Sequence, residues 1–161
     1  MFGFGKSKDQ KVYEGLQPVL AMQQRFGGIP PGFWQNPFVL GYFTFFSRFL
    51  MQDFFGDRLS YEEIGNISIS VMQRLSNLNG VTLVEDAMRY QSTNNDEFEH
   101  GADMAAVLAF FMAGKMSMQT KPYLDRALNE VSPNGEQPDK GMMFAALYRI
   151  TFREEIDRRF S

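Results

Sequence analysis

Apolar residues recur at intervals of three and four along most of the chain, a spacing that places them on one side of an α-helix. The pattern is strongest from Pro37 to Phe55, where Phe38, Val39, Tyr42, Phe43, Phe46, Phe49, Leu50 and Phe54 follow it while Gly41, Thr44, Ser47, Arg48 and Gln52 fall opposite. Leu40, Phe45, Met51 and Phe55 widen the apolar side beyond a single stripe. Asn36 offers a side-chain oxygen to the free amides of a first turn, and Pro37 fits the first helical position, where a missing N–H costs nothing. Together these predict a helix over Pro37–Phe55.

The same reading predicts the other elements. Val12, Leu16, Val19, Leu20 and Met22 mark a first helix from about Asp9 to Arg25, with Gly15 and Pro18 weakening or kinking its middle. Phe26 to Gln35 holds two prolines and three glycines and reads as a loop anchored by Phe26, Ile29, Phe33 and Trp34. Ser60 with Glu63 has the reciprocal capping pattern, and the helix it opens carries Ile64, Ile67, Val71, Leu75 and Leu78 before Asn79-Gly80 stops it. Thr82 with Glu85 starts a short helix to about Gln91, and Asn94 with Glu97 caps a fifth helix reaching Ala113 or Met118. A sixth runs from near Pro122 to about Val131. After the loop Ser132–Pro138, a last helix from about Asp139 to Arg159 buries Met143, Ala146, Leu147, Ile150 and Phe144.

No segment alternates as a strand, and no repeat or linker divides the chain. The expectation is an all-α, single-domain helical bundle of six to seven helices, with residues 1–8 a flexible N-terminal tail and 9–161 the domain. The Pro37–Phe55 helix is its centre, and the last helix packs against it.

Composition narrows the function classes. A chain of 161 residues removes roughly 70% of its unfolded surface from water without staples. Cysteine is absent, which excludes disulfides, thiolate metal sites and thiol nucleophiles. Phe2 and Phe4 precede the first lysines, the reverse of a signal peptide, so a cytoplasmic location is expected. Arg48, Gln52 and Asp53 fall within the most apolar stretch and argue for a core helix over a membrane span. The net charge is −3, with an acidic concentration from Glu85 to Asp103 that disfavours nucleic-acid partners.

Four constellations bear on chemistry. Leu59 to Leu75 resembles the helix-turn-helix of sigma-factor and regulator DNA-binding regions, but Gly65 comes too early for the turn and Arg74 is the only base between Leu59 and Gly80. Asp96, Glu99, His100 and Asp103 share a helical face and offer oxygen and imidazole ligands to a divalent ion. Against this, acids are favoured at a helix N-terminus without any ligand, and the Glu-x-x-His element of di-iron bundles needs a second histidine that the chain lacks. With one histidine, no phosphate-cradling loop and no nucleophile elbow, no catalytic apparatus is complete, and a non-enzyme without cofactor is expected.

The remaining two are apolar. Ten aromatic residues lie between Phe33 and Phe55, and eleven methionines occur in the chain, among them Met104, Met112, Met116, Met118, Met142 and Met143 around the last long helices. Flexible thioethers suit adaptable apolar surfaces, although they also fill cores. The expectation is a protein-interaction domain, self-associating or adaptor-like, presenting Phe33, Trp34, Phe45 and Phe55. The alternative is an inter-helix pocket for an acyl chain or other apolar small molecule, with Tyr42, Arg48 or Tyr90 orienting it.

Overall fold

In the computed structural model, which describes residues 5–161, the interior is organised by the aromatic segment. Helix α2 (Pro37–Phe55) begins where expected: Asn36 Oδ1 accepts from the N–H of Phe38 at 2.9 Å and of Val39 at 3.4 Å. Phe38, Val39, Leu40, Tyr42, Phe43 and Phe46 have no exposed surface at all. A helix buried on so wide a side needs partners on several faces, and α1 (Lys8–Phe26), α3 (Tyr61–Ser76), α4 (Gly80–Ser92) and α5 (Asp96–Met112) all touch it. Beyond these come α6 (Lys121–Val131) and a final rod, α7, made of Lys140–Tyr148, a π-helical segment Arg149–Arg153 and Glu154–Phe160. The described residues thus form an all-α bundle of seven helices without strands, and none of these helices is long and apolar enough to cross a membrane.

Helices α2 and α5 cross with their backbones in close approach. A Cβ added at Gly41 would fall on the carbonyl of Phe98, and one added at Gly101 would fall on the carbonyl of Phe38. Each helix therefore uses a glycine to let the other's backbone pass. Against this pair packs Phe152 of α7, whose ring centroid lies 4.6 Å from Tyr42, 5.7 Å from Phe43, 6.0 Å from Phe33 and 6.1 Å from Phe38.

Several expectations need correction. Residues 1–4 of the expected tail lie outside the described residues, and Lys8 already belongs to α1. That helix is continuous through Pro18, and Gly15 gives room to Leu50 on α2. The capping box at Ser60 forms in both directions at 3.1 Å, but α3 continues unbroken past Gly65, so Leu59–Leu75 contains no helix-turn-helix turn.

The next two starts shift. Asn79, not Thr82, caps α4 by accepting from the Thr82 N–H at 3.1 Å, and Asn95, not Asn94, caps α5 by accepting from Phe98 at 3.0 Å. In both places a neighbouring asparagine is taken up by a left-handed turn: Asn77 at φ 58° and Asn94 at φ 50°. Asparagine tolerates that region better than most residues, so the paired asparagines divide turn and cap between them.

The π-helical segment is the largest departure. In an unbroken helix the stripe through Met143, Leu147 and Ile150 would continue to Glu154 and Arg158. The wider turn brings Phe152 and Ile156 inward instead, both buried, while Thr151 Oγ1 donates to the Leu147 carbonyl at 2.7 Å.

Candidate functional site

Helix α5 ends at Met112, and Gly114 at φ 68° turns the chain aside, with the Lys115 N–H donating to the Phe110 carbonyl at 2.8 Å. Ser117 and Thr120 then tie the connection: the Ser117 N–H donates to Thr120 Oγ1 at 3.2 Å and the Thr120 N–H to Ser117 Oγ at 3.3 Å. This knot fixes where α6 begins, and Thr120 is nearly inaccessible. Helix α6 is amphipathic but shallowly seated. Ala127 is its one fully buried residue, Tyr123, Leu124 and Val131 are half-buried, and its main neighbour is α7.

Because α6 leans mainly on α7, a groove of about 660 Å³ is left between it, α7 and the end of α5. Its inner wall is Phe111, Leu124, Met143 and Phe144, and its lip carries Met112, Met116 and Leu128, which are 43%, 74% and 40% exposed. Met118 and Met142 are exposed nearby on the same connection and on α7. The ionisable groups on the lining are Lys115, Lys140 and Asp125, and Asp125 is paired with Lys121 at 2.7 Å. The lining is mainly apolar, with Lys140 at its edge and the Lys115 ammonium lying 5.5 Å from the centre of the Phe49 ring on α2.

The aromatic residues expected to form an interaction surface are placed otherwise. Phe33, Trp34 and Phe55 are buried within the chain, and Phe45 is half-buried and stacked on Phe49 at 6.5 Å. Trp34 packs between Phe33 at 5.0 Å and Phe43 at 5.1 Å, as a plug under α2.

The polar residues expected to orient a ligand do not converge. The Tyr42 hydroxyl is fully buried and lies 3.0 Å from Thr151 Oγ1, and burial pushes its phenol far above the ordinary value. Nearby, Tyr148 donates to Gln23 Oε1 at 2.6 Å, and Gln23 Nε2 donates to the Gly28 carbonyl at 2.9 Å, so the buried amide closes the loop after α1. Burial raises the Tyr148 phenol to about 12. Arg48 is exposed and donates to Gln91 at 3.3 Å, and Tyr90 is half-buried against Phe98. Among the described residues these are separate structural contacts, and the cavity that Arg48 lines, beside Met51, Leu59 and Ile64, includes neither Tyr42 nor Tyr90.

The acidic face of α5 meets the basic end of α7. Glu155 Oε1 lies 3.3 Å from His100 Nε2, while Arg159 Nη1 donates to Glu155 at 2.6 Å and Arg159 Nε to Glu97 at 2.5 Å. The Arg159 guanidinium also sits 4.2 Å from the centre of the Phe38 ring. Among the described residues Asp96, Glu99, His100 and Asp103 do not form a cluster of three or more groups placed to hold a metal ion. His100 is drawn to Glu155, a residue 55 positions away whose approach no helical spacing predicts.

This cluster makes stability acid-sensitive. Burial alone would raise the Glu155 carboxyl, but hydrogen bonds from Arg159 and His100 outweigh it and hold the group below its ordinary 4.5. A depressed folded value contributes stability above pH 4.5 that is lost as pH falls through the folded value. Urea midpoints are therefore expected to fall less steeply on acidification in Glu155→Gln than in the wild type. Parallel profiles would show that the pairing contributes nothing.

No local pattern marks the groove in the sequence, because Lys115, Leu128 and Lys140 carry no motif and belong to three different segments. The methionine excess around the last helices was its one visible sign. Comparison with known proteins finds no matching family model, no matching curated protein and no matching solved structure.

Proposed function

We propose that this protein is a non-enzymatic interaction module whose groove between α5, α6 and α7 receives the apolar side chains of a helix from another protein chain. The observation that carries this reading is the gathering of exposed Met112, Met116 and Leu128 around one apolar groove. Exposed apolar residues scattered singly need no explanation, whereas a contiguous set lining a concavity marks a binding site. Methionine lips adapt to partners of varied shape at little cost, the property expected of a helix-receiving groove.

An acyl chain is the second reading. The volume falls within the roughly 300–1,000 Å³ of small-molecule pockets, and two ammonium groups suit a carboxylate head.

Methionine methyl NMR separates these readings. A synthetic amphipathic helix with leucines at i, i+3, i+4 and i+7 is expected to shift the methyls of Met112, Met116 and Met143 and leave those of Met51, Met72 and Met104, which are buried elsewhere. Laurate moving the groove methyls while the peptide leaves them unmoved would favour the acyl reading. Silence from both would remove the groove as a binding site.

A further inference from the structure

Two features of the surface match each other. Lys115 and Lys140 line the apolar groove, and among the described residues neither takes part in an ion pair, Asp125 beside them being held by Lys121. The complementary pattern lies on α4. Val81, Glu85 and Met88 stand at i, i+4 and i+7 on one face, opposite buried Leu83 and Ala87. Val81 and Met88 are 45% and 57% exposed, and Leu78 just before the helix is also exposed. Asp86 is bound to Arg89 at 3.0 Å, but among the described residues Glu85 has no cation partner. The groove is thus apolar with two lysines outside any ion pair, of which Lys115 rests 5.5 Å from the centre of the Phe49 ring, and the α4 face is apolar with one unpaired carboxylate at its centre.

We propose that α4 of one copy of this chain docks in the α5–α6–α7 groove of a second copy, with Val81 and Met88 against Leu128 and the methionine lip, and Glu85 between Lys115 and Lys140. This rests on the groove being a receiver of helices and names which helix it takes. The contact is between copies because α4 leads into the N-terminus of α5 while the groove lies at its C-terminus. Seventeen helical residues separate the two by about 25 Å. Such an interface is heterologous: the copy that gives its α4 keeps a free groove and the copy that receives it keeps a free α4, so assembly proceeds head to tail. The stripe is one face of a 13-residue helix, a small surface for a stable complex, so association is expected to depend on concentration.

Sedimentation velocity of the whole chain tests this through two surface variants, Met88→Glu and Leu128→Glu, with circular dichroism confirming that each keeps its helices. The wild type is expected to gain mass with concentration, and each variant alone to stay at 18.5 kDa. An equimolar mixture is expected to give a dimer and nothing larger, because the Leu128→Glu chain still offers α4 and the Met88→Glu chain still offers the groove. Glu85→Lys should weaken wild-type assembly, and mixing it with Lys140→Glu should recover part of the loss.

A wild type that remains monomeric at millimolar concentration overturns the proposal, as does assembly unaffected by Met88→Glu or a mixture that stays monomeric. If the wild type is monomeric but the groove methyls still answer to the synthetic helix, the groove remains a helix receiver and its partner is another protein. If those methyls answer to neither, the reading of the groove falls as well.

Discussion

Gly41→Ala is expected to unfold the protein, or to leave it barely folded, at room temperature. In an ordinary exposed helix this change stabilises by up to about 1 kcal/mol, because alanine has less backbone freedom to lose. Here the added methyl would occupy the place of the Phe98 carbonyl, and the listening partner is equally blocked: a methyl at Gly101 meets the Phe38 carbonyl and, at 2.9 Å, the Tyr42 nitrogen. A flexible side chain could swing away, but these obstacles are backbone atoms inside helices. The two helices must separate, which uncovers the aromatic layer above them. A loss above about 4 kcal/mol is expected, a large part of the roughly 5–15 kcal/mol that holds a domain folded. Thermal melts followed by circular dichroism give the measurement. Gly65→Ala is the control: it lies within α3 with no atom within 4 Å of the added Cβ and should melt at or slightly above the wild-type temperature. A Gly41→Ala melt matching the wild type would mean the helices do not cross there as described.

Phe152→Ala should cost about 3–5 kcal/mol, the range for removing a buried aromatic ring. Its ring touches aromatic side chains from three segments, Phe33 before α2, Phe38, Tyr42 and Phe43 on α2, and Tyr148 on its own helix. Few of these neighbours can collapse into the space, since Tyr42 is tethered to Thr151 and Tyr148 to Gln23. Phe152→Leu keeps most of the volume and should lose less than half as much. Equilibrium urea unfolding distinguishes the two. Equal losses would mean that aromatic geometry, and not filled volume, is what the site requires.

Helix type and order were legible because hydrophobic spacing and capping chemistry are local. Pro37 to Phe55 carries its start signal, its stripe and its stop in consecutive residues, and the structure reproduces it to both ends. The caps expected at Thr82 and Asn94 fall instead to Asn79 and Asn95, each placed after a left-handed asparagine, Asn77 and Asn94, that periodicity does not reveal. Phe152 was not read as core because the π-helical segment changes the period partway along α7, and no residue type announces that change. The groove was hidden for a further reason. It exists because α6 packs mainly on α7, a relation among three helices that periodicity within any one of them does not contain.

The distribution of sulfur has its own consequence. With no cysteine in the chain, methionine is the residue through which it meets oxidants, and the thioethers differ widely in access. Met116 and Met118 are 74% and 91% exposed, whereas Met51, Met72 and Met104 are enclosed. Dilute peroxide reaches the lip of the groove long before it reaches the core, and each sulfoxide formed there turns an apolar edge polar and chiral. The reductases that reverse this change would restore the lip as readily, so binding in the proposed docking groove would be open to reversible chemical control while the bundle beneath it stays folded.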